Sequence, residues 1–347
     1  MALVYTAAAM PTTMQAYVLT RYGGPAAAEL REVPVPEPGP GDLRVRVHAA
    51  GLNPVDYKTR AGQLRVIYSP RLPVVLGNEL AGTVDAVGAG VTNFRAGDRV
   101  FVRVDKGAMG AFAEYACVRA DLAAAMPASL DFTAAAAVPL AGLTALQGVR
   151  DELKAGPGAR LFIPGGAGGV GTFALQLAKQ FGATVATTAS ARGEALVRRL
   201  GADVVVDYTR ERFEEVLKDY DGAYDLVGGD TLARSFEVVK RGGLVLTIAG
   251  APEPETARRD LERGGLVPLF WIVSLGQRLR ARRHGVRYRF LFMHPSAADL
   301  ADLARRIDAG ALQVVVDRVL PFSQIAEAFA YLEGGHAKGK VVVRIVE

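Results

Sequence analysis

The sequence has a single cysteine in 347 residues, Cys117. One thiol cannot form an internal disulfide, and it excludes a zinc site built from several thiolates. The lone cysteine favours a reducing compartment, so we expect a cytoplasmic protein. The N-terminus also lacks the basic segment of a secretory signal peptide, and we interpret residues 1–13 as a disordered leader.

Long apolar runs and a strong net charge are missing too. The longest apolar stretch, Leu266 to Leu275, is about half of the roughly 20 residues that cross a bilayer, so we expect no transmembrane helix and no membrane partner. The net charge is only +5 at pH 7. The densest basic cluster comprises Arg278, Arg280, Arg282, Arg283, His284, Arg287 and Arg289. We interpret it as a solvated helix face and do not expect a nucleic-acid partner.

The apolar content, 50% of residues, is sufficient for two domains. Short β-branched runs separated by Gly, Pro, Asn and Asp fill most of residues 14–138 and are typical of an antiparallel β unit. In the run LRVRVHA, alternation predicts one buried face and one wet face that carries Arg44, Arg46 and His48. Strands alternate with helical segments over residues 139–285, which predicts a parallel sheet. We assign residues 286–347 to the first domain again.

A glycine-rich turn follows the first predicted strand of the second domain. Residues 166–171 read GAGGVG, with an apolar strand before them and an amphipathic helix after them. In that setting glycines allow the backbone to approach a pyrophosphate, and the helix N-terminus offers free N–H groups and a positive dipole. The turn therefore predicts a dinucleotide site, and its contacting residues are Gly166, Gly168, Gly169, Val170 and Gly171.

The next strand indicates which dinucleotide binds. An NAD enzyme usually carries Asp or Glu at the end of this strand, where it binds the ribose hydroxyls. Here the strand ends TTASAR, with Ser190 and Arg192 and no carboxylate. These two side chains suit a 2′-phosphate, so we expect NADPH as the cofactor.

With these motifs in place, the sequence resembles the medium-chain dehydrogenase/reductase superfamily, in its zinc-free quinone oxidoreductase-like branch. The resemblance rests on GLNPVDYKTRAGQ, VLGNELAGTVDAVGAGV, GDRV, AAAAVPLAGLTALQG, GGAGGVG and GGHAKGKVVV, in the family's order. It implies an α/β fold with a GroES-like β-rich catalytic domain, formed by residues 14–138 and 286–347. A Rossmann domain with a doubly wound parallel sheet, residues 139–285, lies between. The resemblance also implies a homodimer through the edge of the Rossmann sheet.

The positions that hold catalytic zinc in other members of the superfamily carry Asn53, Asn78 and Leu140 here. Two amides and an aliphatic side chain do not replace thiolate and imidazole ligands, so we expect no metal. Without a Lewis acid, hydride addition to a conjugated acceptor is favoured, because an enone or quinone spreads the developing charge.

The resemblance assigns the acceptor contacts to the segment NPVDYK, which we interpret as a loop. Lys58 and Tyr57 are the candidate donors to the acceptor oxygen, and Asn53 is a candidate to orient or polarise the carbonyl. It also places Thr144, Gly250, Tyr208 and Lys340 at the cofactor, with Lys340 near its phosphates. For Lys338 a solvated basic turn is the slightly preferred interpretation, and we expect Asp56 to hold the loop by hydrogen bonds.

These features predict an NADPH-dependent oxidoreductase that transfers hydride to a quinone or an α,β-unsaturated carbonyl without zinc. Two alternatives stay open: a zinc-free ketone or alcohol oxidoreductase of the same fold, and a non-catalytic NADPH-binding interaction protein. The segment 263–292 departs from the family pattern, since it has more apolar bulk and more arginines. Its aromatic residues Phe270, Trp271 and Phe292 are typical of core packing, with an acceptor pocket or dimer contact as the other interpretations.

Overall fold

Alternating apolar residues in the first part of the chain form antiparallel strands around a closed core. A computed structural model describes residues 11–105 and 107–346. The strands of this part are β1 (Thr13–Leu19), β2 (Ala28–Pro34), β3 (Asp42–Leu52), β4 (Val74–Val75), β5 (Glu79–Val87), β6 (Arg99–Arg103), β7 (Tyr115–Arg119) and β8 (Ala123–Ala125).

The strands of the middle part form a parallel sheet and are β9 (Arg160–Ile163), β10 (Thr184–Ala189), β11 (Val204–Asp207), β12 (Tyr220–Asp225), β13 (Val239–Thr247) and β14 (Arg287–Phe290). Their order in space is β11-β10-β9-β12-β13-β14. This is the doubly wound Rossmann order, in which the first strand lies beside the fourth and ligands bind outside the carboxyl ends of that pair.

The last two strands, β15 (Val316–Pro321) and β16 (Lys340–Arg344), return to the first part of the chain. Strand β16 pairs antiparallel with β3, so the C-terminal strands join a sheet of the first part. The path of this sheet is β15-β16-β3-β5-β6-β8, with β7 also on β3. A separate sheet has the order β2-β1-β4. The expected α/β fold with a β-rich and a Rossmann-type part is confirmed.

Helices cover both faces of the parallel sheet and connect the two parts. They are α1 (Pro54–Arg60), α2 (Phe132–Ala136), α3 (Pro139–Leu146), α4 (Gly169–Gln180), α5 (Ala191–Arg199), α6 (Phe213–Val216), α7 (Gly229–Ser235), α8 (Val267–Val273), α9 (Leu275–His284), α10 (Ala297–Asp308) and α11 (Ile325–Glu333). Within the described ranges, none of these helices is long and apolar enough to cross a bilayer.

Successive residues of β9 show how the sheet is buried from both sides. Leu161 and Ile163 pack into the cluster that contains α3 and α4, whereas Phe162 packs into a second cluster with Phe213 and Tyr220. Neighbouring side chains of a strand point to opposite faces, so a fully apolar run suits a strand covered on both faces.

Three sequence expectations need correction. The boundary at residue 286 falls just before β14, whose hydrogen bonds to β13 place it in the parallel sheet. The chain rejoins the β-rich sheet only at β15.

Thr13, expected in the leader, starts β1 opposite Pro34, while residues 1–10 lie outside the described part. Arg44, expected on a wet face, is buried because its guanidinium pairs with Asp85 at 2.7 Å.

Candidate functional site

The glycine turn lies between β9 and the N-terminus of α4, at the point where the strand order reverses. A Cβ on Gly166 would lie 2.3 Å from Thr187 Oγ1, and one on Gly171 would lie 2.4 Å from the carbonyl oxygen of Gly165. No side chain fits at either position. The first N–H groups of α4 have no partner within the helix, so this turn provides an anion site.

The strand β10 ends beside this turn and leads into α5. Ser190 precedes α5, its side chain makes no capping hydrogen bond, and Arg192 is exposed. The nearest carboxylate in register, Asp207 opposite Ala189 on β11, accepts hydrogen bonds from the backbone N–H and the hydroxyl of Thr209. Tyr208, which follows it, is 60% exposed.

A segment near the C-terminus, residues 338–340, crosses the glycine turn. The Gly339 N–H donates to the Ala167 carbonyl at 2.9 Å, and Gly339 forms a parallel bridge with Gly168. Gly339 has φ +103°, and a Cβ there would lie 2.4 Å from the Val315 carbonyl oxygen. The position therefore requires glycine.

The two lysines beside Gly339 point to different places. The Lys338 ammonium donates to the Arg192 carbonyl at 2.8 Å, so the residue interpreted as a solvated turn lies at the start of α5. Lys340, expected near the cofactor phosphates, is buried instead. Its ammonium donates to Glu79 Oε1 at 2.7 Å and to Asn53 Oδ1 at 2.5 Å. The expectation for Lys340 is therefore corrected, because a buried carboxylate holds its charge.

The segment NPVDYK forms the helix α1 and not a loop. Asn53 is its N-cap, Pro54 its first residue, and Asp56 accepts the Asn53 backbone N–H at 2.7 Å. An Asn-Pro-x-Asp sequence is a helix-start signal, so this element was predictable. Asp56 is fully buried and also accepts from Asn78 Nδ2 at 2.6 Å. As expected, it holds this segment.

Burial shifts the titration of that carboxyl group. The pKa of Asp56 is raised to about 7, mainly by loss of hydration and in smaller part by the negative charge of Glu79. The hydrogen bonds from Asn78 and Asn53 and the charge of Lys340 act in the opposite direction. The group therefore changes charge near neutral pH.

Glu79 is the centre of a buried polar cluster that sequence reasoning missed. Its Oε1 accepts from Asn53 Nδ2 at 2.6 Å and from Lys340, and its Oε2 accepts from the Leu140 N–H at 2.6 Å. The signal was a carboxylate within the apolar run VVLGNELAGT. Asn53 Nδ2 also donates to the Gly51 carbonyl at 3.4 Å, which engages both amide hydrogens. In this structure Asn53 is thus a positioning residue, which corrects its expected contact with the carbonyl.

The same cluster does not fit a zinc ion. The family's ligand positions bring together the amides of Asn53 and Asn78 and the backbone N–H of Leu140. The Lys340 ammonium bonds the oxygens of Asn53 and Glu79 that face it. A cation beside that ammonium would be repelled and would lack soft ligands. Within the described residues no group of three or more His, Cys, Asp or Glu is arranged to hold a metal.

The two candidate donors lie on α1 and are both half-buried. No carboxylate in the described part of the chain pairs with Lys58, so its ammonium is available to a ligand. Burial raises the pKa of the Tyr57 hydroxyl, as does the nearby charge of Glu333, so the phenol stays protonated at neutral pH. Both groups can donate a hydrogen bond.

Two further predicted cofactor residues, Thr144 and Gly250, lie within α3 and after β13. Thr144 is inside α3 and its hydroxyl donates to the Leu140 carbonyl at 2.7 Å, which excludes a helix-capping role. Gly250 follows β13, and a Cβ there would lie 2.6 Å from the Tyr288 hydroxyl oxygen. The nearby Asp225, which the sequence did not single out, is buried and accepts from Thr247 Oγ1 at 2.6 Å. It fixes the adjoining turn.

Comparisons with known proteins agree with this architecture. Residues 39–128 match the alcohol dehydrogenase GroES-like domain, and residues 200–343 match the zinc-binding dehydrogenase family. The NADPH-dependent alkenal/one oxidoreductase of Arabidopsis thaliana chloroplasts is 38% identical, over 97% of this chain and 81% of that protein.

Solved structures show the same relationship. The quinone oxidoreductase of Coxiella burnetii is 31% identical, with a TM-score of 0.83, covering 96% of this chain and 99% of that one. A mycobacterial protein solved in complex with NADPH is 29% identical, with a TM-score of 0.81, covering 96% of this chain and all of that one. The chain belongs to the medium-chain dehydrogenase/reductase superfamily, among the relatives of quinone and alkenal/one oxidoreductases.

Proposed function

We propose that the protein is an NADPH-dependent oxidoreductase that transfers hydride to a quinone or to the β-carbon of an α,β-unsaturated carbonyl, without zinc. The observation that carries the proposal is the glycine turn at the reversal point of a Rossmann sheet, beside a second strand that ends without a carboxylate. The names of the related alkenal/one and quinone oxidoreductases support it.

The residues at the turn fit NADPH. The N-terminus of α4 and the bare backbone at Gly166 and Gly171 suit a pyrophosphate. Arg192 and the Lys338 ammonium, which lies against the Arg192 carbonyl, supply positive charge where a 2′-phosphate would bind. Ser190 and the exposed Tyr208 add hydroxyl groups at the same end of the sheet.

NADPH would supply the hydride when bound. The side chains of α1 would stabilise the negative charge that develops on the acceptor oxygen. Lys58 stabilises the acceptor oxygen as a cation, and the protonated Tyr57 donates a hydrogen bond to it. A conjugated acceptor spreads that charge over several atoms, so these two donors replace a Lewis acid. Asn53 and Asp56 act through α1 by fixing its first turn.

The test compares NADPH and NADH oxidation with an enone and with the corresponding saturated ketone. We expect faster turnover with NADPH and a marked preference for the enone. Reduction of the saturated ketone at an equal rate would assign the protein to ketone reductases, and NADPH binding without any turnover would assign it to interaction proteins.

We also propose a cellular location and an oligomeric state. The lone Cys117 supports a cytoplasmic location, although the curated relative from Arabidopsis thaliana is chloroplastic. The strand β14 lies at an edge of the parallel sheet and supports a homodimer formed by strand pairing across that edge.

A further inference from the structure

An exposed apolar ridge runs along the helices α8 and α9. Large apolar side chains are usually buried, yet Ile272 is 64% exposed, Leu279 56% and Trp271 49%. The other exposed members of the ridge are Leu269, Val273 and Leu275. Six such side chains within eleven residues are a dense cluster of exposed apolar groups rather than single scattered ones.

The outward orientation of the ridge is fixed by residues on the opposite face. Phe270, Ser274 and Ala281 are buried, at a spacing that places them on one side of the two helices. The Ser274 hydroxyl donates to the Phe270 carbonyl at 2.6 Å, and its carbonyl accepts the Arg278 N–H at 2.9 Å. Hydrogen bonds of Ser274 therefore connect α8 and α9 across the break between them. The exposed apolar side chains cannot turn inward unless the buried residues lose their packing.

The ridge is flanked by arginines without compensating carboxylates. The sequence has no Asp or Glu from residue 263 to residue 298. Among the described residues, no carboxylate pairs with Arg278, Arg280, Arg282 or Arg283. Arg278 instead lies over the Trp271 ring, with its guanidinium carbon 5.0 Å from the ring centroid. An apolar surface and an unpaired basic surface thus belong to the same helix pair.

We propose that α8 and α9 dock the protein peripherally on an anionic lipid surface, with the apolar ridge in the headgroup region and the arginines against lipid phosphates. Surface helices that carry tryptophan and aliphatic residues beside arginines bind anionic membranes in this way without spanning them. This revises the expectation of no membrane partner, which rested on the length of the apolar run alone.

Charge favours lipid over a second copy of the chain. A two-fold contact would place the same patch on both partners, so the arginines of one copy would face those of the other without any carboxylate between them. Anionic headgroups complement the arginines, and the acyl boundary takes the apolar side chains. Nucleic acid would satisfy only the arginines and leave the ridge in water.

The segment that leads into the ridge contacts the part of the chain that follows α1. The Arg263 guanidinium donates to the Ile67 carbonyl at 2.8 Å, which ties the start of this segment to the turn that follows α1. Docking would therefore bring the α1 side of the molecule toward the lipid surface.

The experiment measures sedimentation of the full chain with phosphatidylcholine vesicles that contain about 30% phosphatidylserine, and with pure phosphatidylcholine vesicles. We expect binding to the anionic vesicles that falls steeply with added salt, and roughly tenfold weaker binding to the neutral ones. The double variant Trp271→Ser/Ile272→Ser and the triple variant Arg280→Gln/Arg282→Gln/Arg283→Gln should each lose about tenfold or more of the binding.

Matched controls replace exposed residues elsewhere. Val87→Ser/Val216→Ser removes two exposed apolar side chains, and Arg21→Gln/Arg95→Gln/Arg199→Gln removes three exposed charges. Both should bind vesicles as the unaltered protein does. Circular dichroism and thermal unfolding of every variant show that each one is folded, and the assay needs no cofactor or acceptor, so it is independent of the proposed reduction.

Two results would overturn docking on lipid. One is equal binding, or none, to both kinds of vesicle. The other is dissociation of a dimer by Trp271→Ser/Ile272→Ser in sedimentation velocity, with vesicle binding unchanged, which would assign the ridge to a second copy.

Discussion

At the scale of single residues, two lysines are expected to have different roles, one in hydride transfer to the acceptor and one in NADPH binding. Lys58 lies on α1 and Lys338 at the start of α5. Lys58→Met should lower kcat on an enone by about 10²-fold with little change in NADPH affinity, because it removes charge stabilisation at the acceptor. Lys338→Met should weaken NADPH binding and leave NADH binding unchanged. Steady-state kinetics and fluorescence titration measure both, and the reverse pattern would exchange the two roles.

The buried carboxyl group of Asp56 makes stability depend on pH. Its pKa is raised by burial to about 7 in the fold, above its value in the unfolded chain. The folded state therefore holds the extra proton between about pH 4 and pH 7, and the contribution of Asp56 to the free energy of unfolding falls as the pH rises through that window. The total change is on the order of a few kcal/mol.

Asp56→Asn should flatten this dependence, since the amide does not titrate. Urea unfolding of both proteins at about pH 5 and about pH 8 gives the comparison. Because Glu79, Lys340 and Arg103 also influence this carboxyl group or lie near it, only the difference between the two proteins is diagnostic. Parallel curves would mean that Asp56 does not titrate in this range.

Contacts between residues close in the sequence were predictable, but contacts between distant residues were not. The motif Asn-Pro-x-Asp specifies a helix start within four residues, since all its contacts are local. The pairing of Lys340 with Glu79 joins positions 261 residues apart. The pairing of β16 with β3 and of β3 with β5 brings the two together, and spacing in the sequence carries no sign of it.

At the scale of elements, the turn between β9 and α4 depends on bare backbone. Gly171→Ala would put a Cβ 2.4 Å from the Gly165 carbonyl oxygen and 2.7 Å from Gly166 Cα, and neither atom belongs to a movable side chain. We expect a lower Tm and at least tenfold weaker NADPH binding. Gly276→Ala is the matched control, because its Cβ would meet nothing within 4 Å and its helix would gain about 1 kcal/mol. Unchanged NADPH binding in Gly171→Ala would contradict the assignment of this turn to the NADPH site.

The cluster of Glu79, Lys340 and Asn53 joins three elements, β5, β16 and the start of α1. Lys340→Met leaves the Glu79 carboxylate buried without its cation and should cost about 3 kcal/mol or more of unfolding free energy. The double variant Lys340→Met/Glu79→Gln should lose less than Lys340→Met, because no unpaired charge is left in the core. Chemical unfolding of the single and double variants measures the coupling, and strict additivity would show that the pair is not coupled.

At the scale of the whole molecule, the change from short β-branched runs to alternating strands and helices predicted two structural parts. The alternation of strands and helices predicted the parallel sheet, because the hydrophobic periodicity of a strand or a helix is a local sequence pattern. The boundary at residue 286 was wrong, since β14 is a short strand whose membership depends on hydrogen bonds to β13. The exposure of Trp271 was not predictable either, because an aromatic residue in an apolar run usually lies in the core.

The central claim is metal-independent reduction of a conjugated acceptor. Its most direct test is NADPH oxidation by enzyme treated with a chelator, with a quinone, an enone, an enal and a saturated ketone as acceptors and NADH in parallel. We expect NADPH-preferring reduction of the conjugated acceptors at a rate that chelation and added zinc leave unchanged. Loss of activity on chelation and its return with zinc would contradict this claim and show that a metal takes part, although the Lys340 ammonium bonds Asn53, which stands at one of the family's zinc-ligand positions.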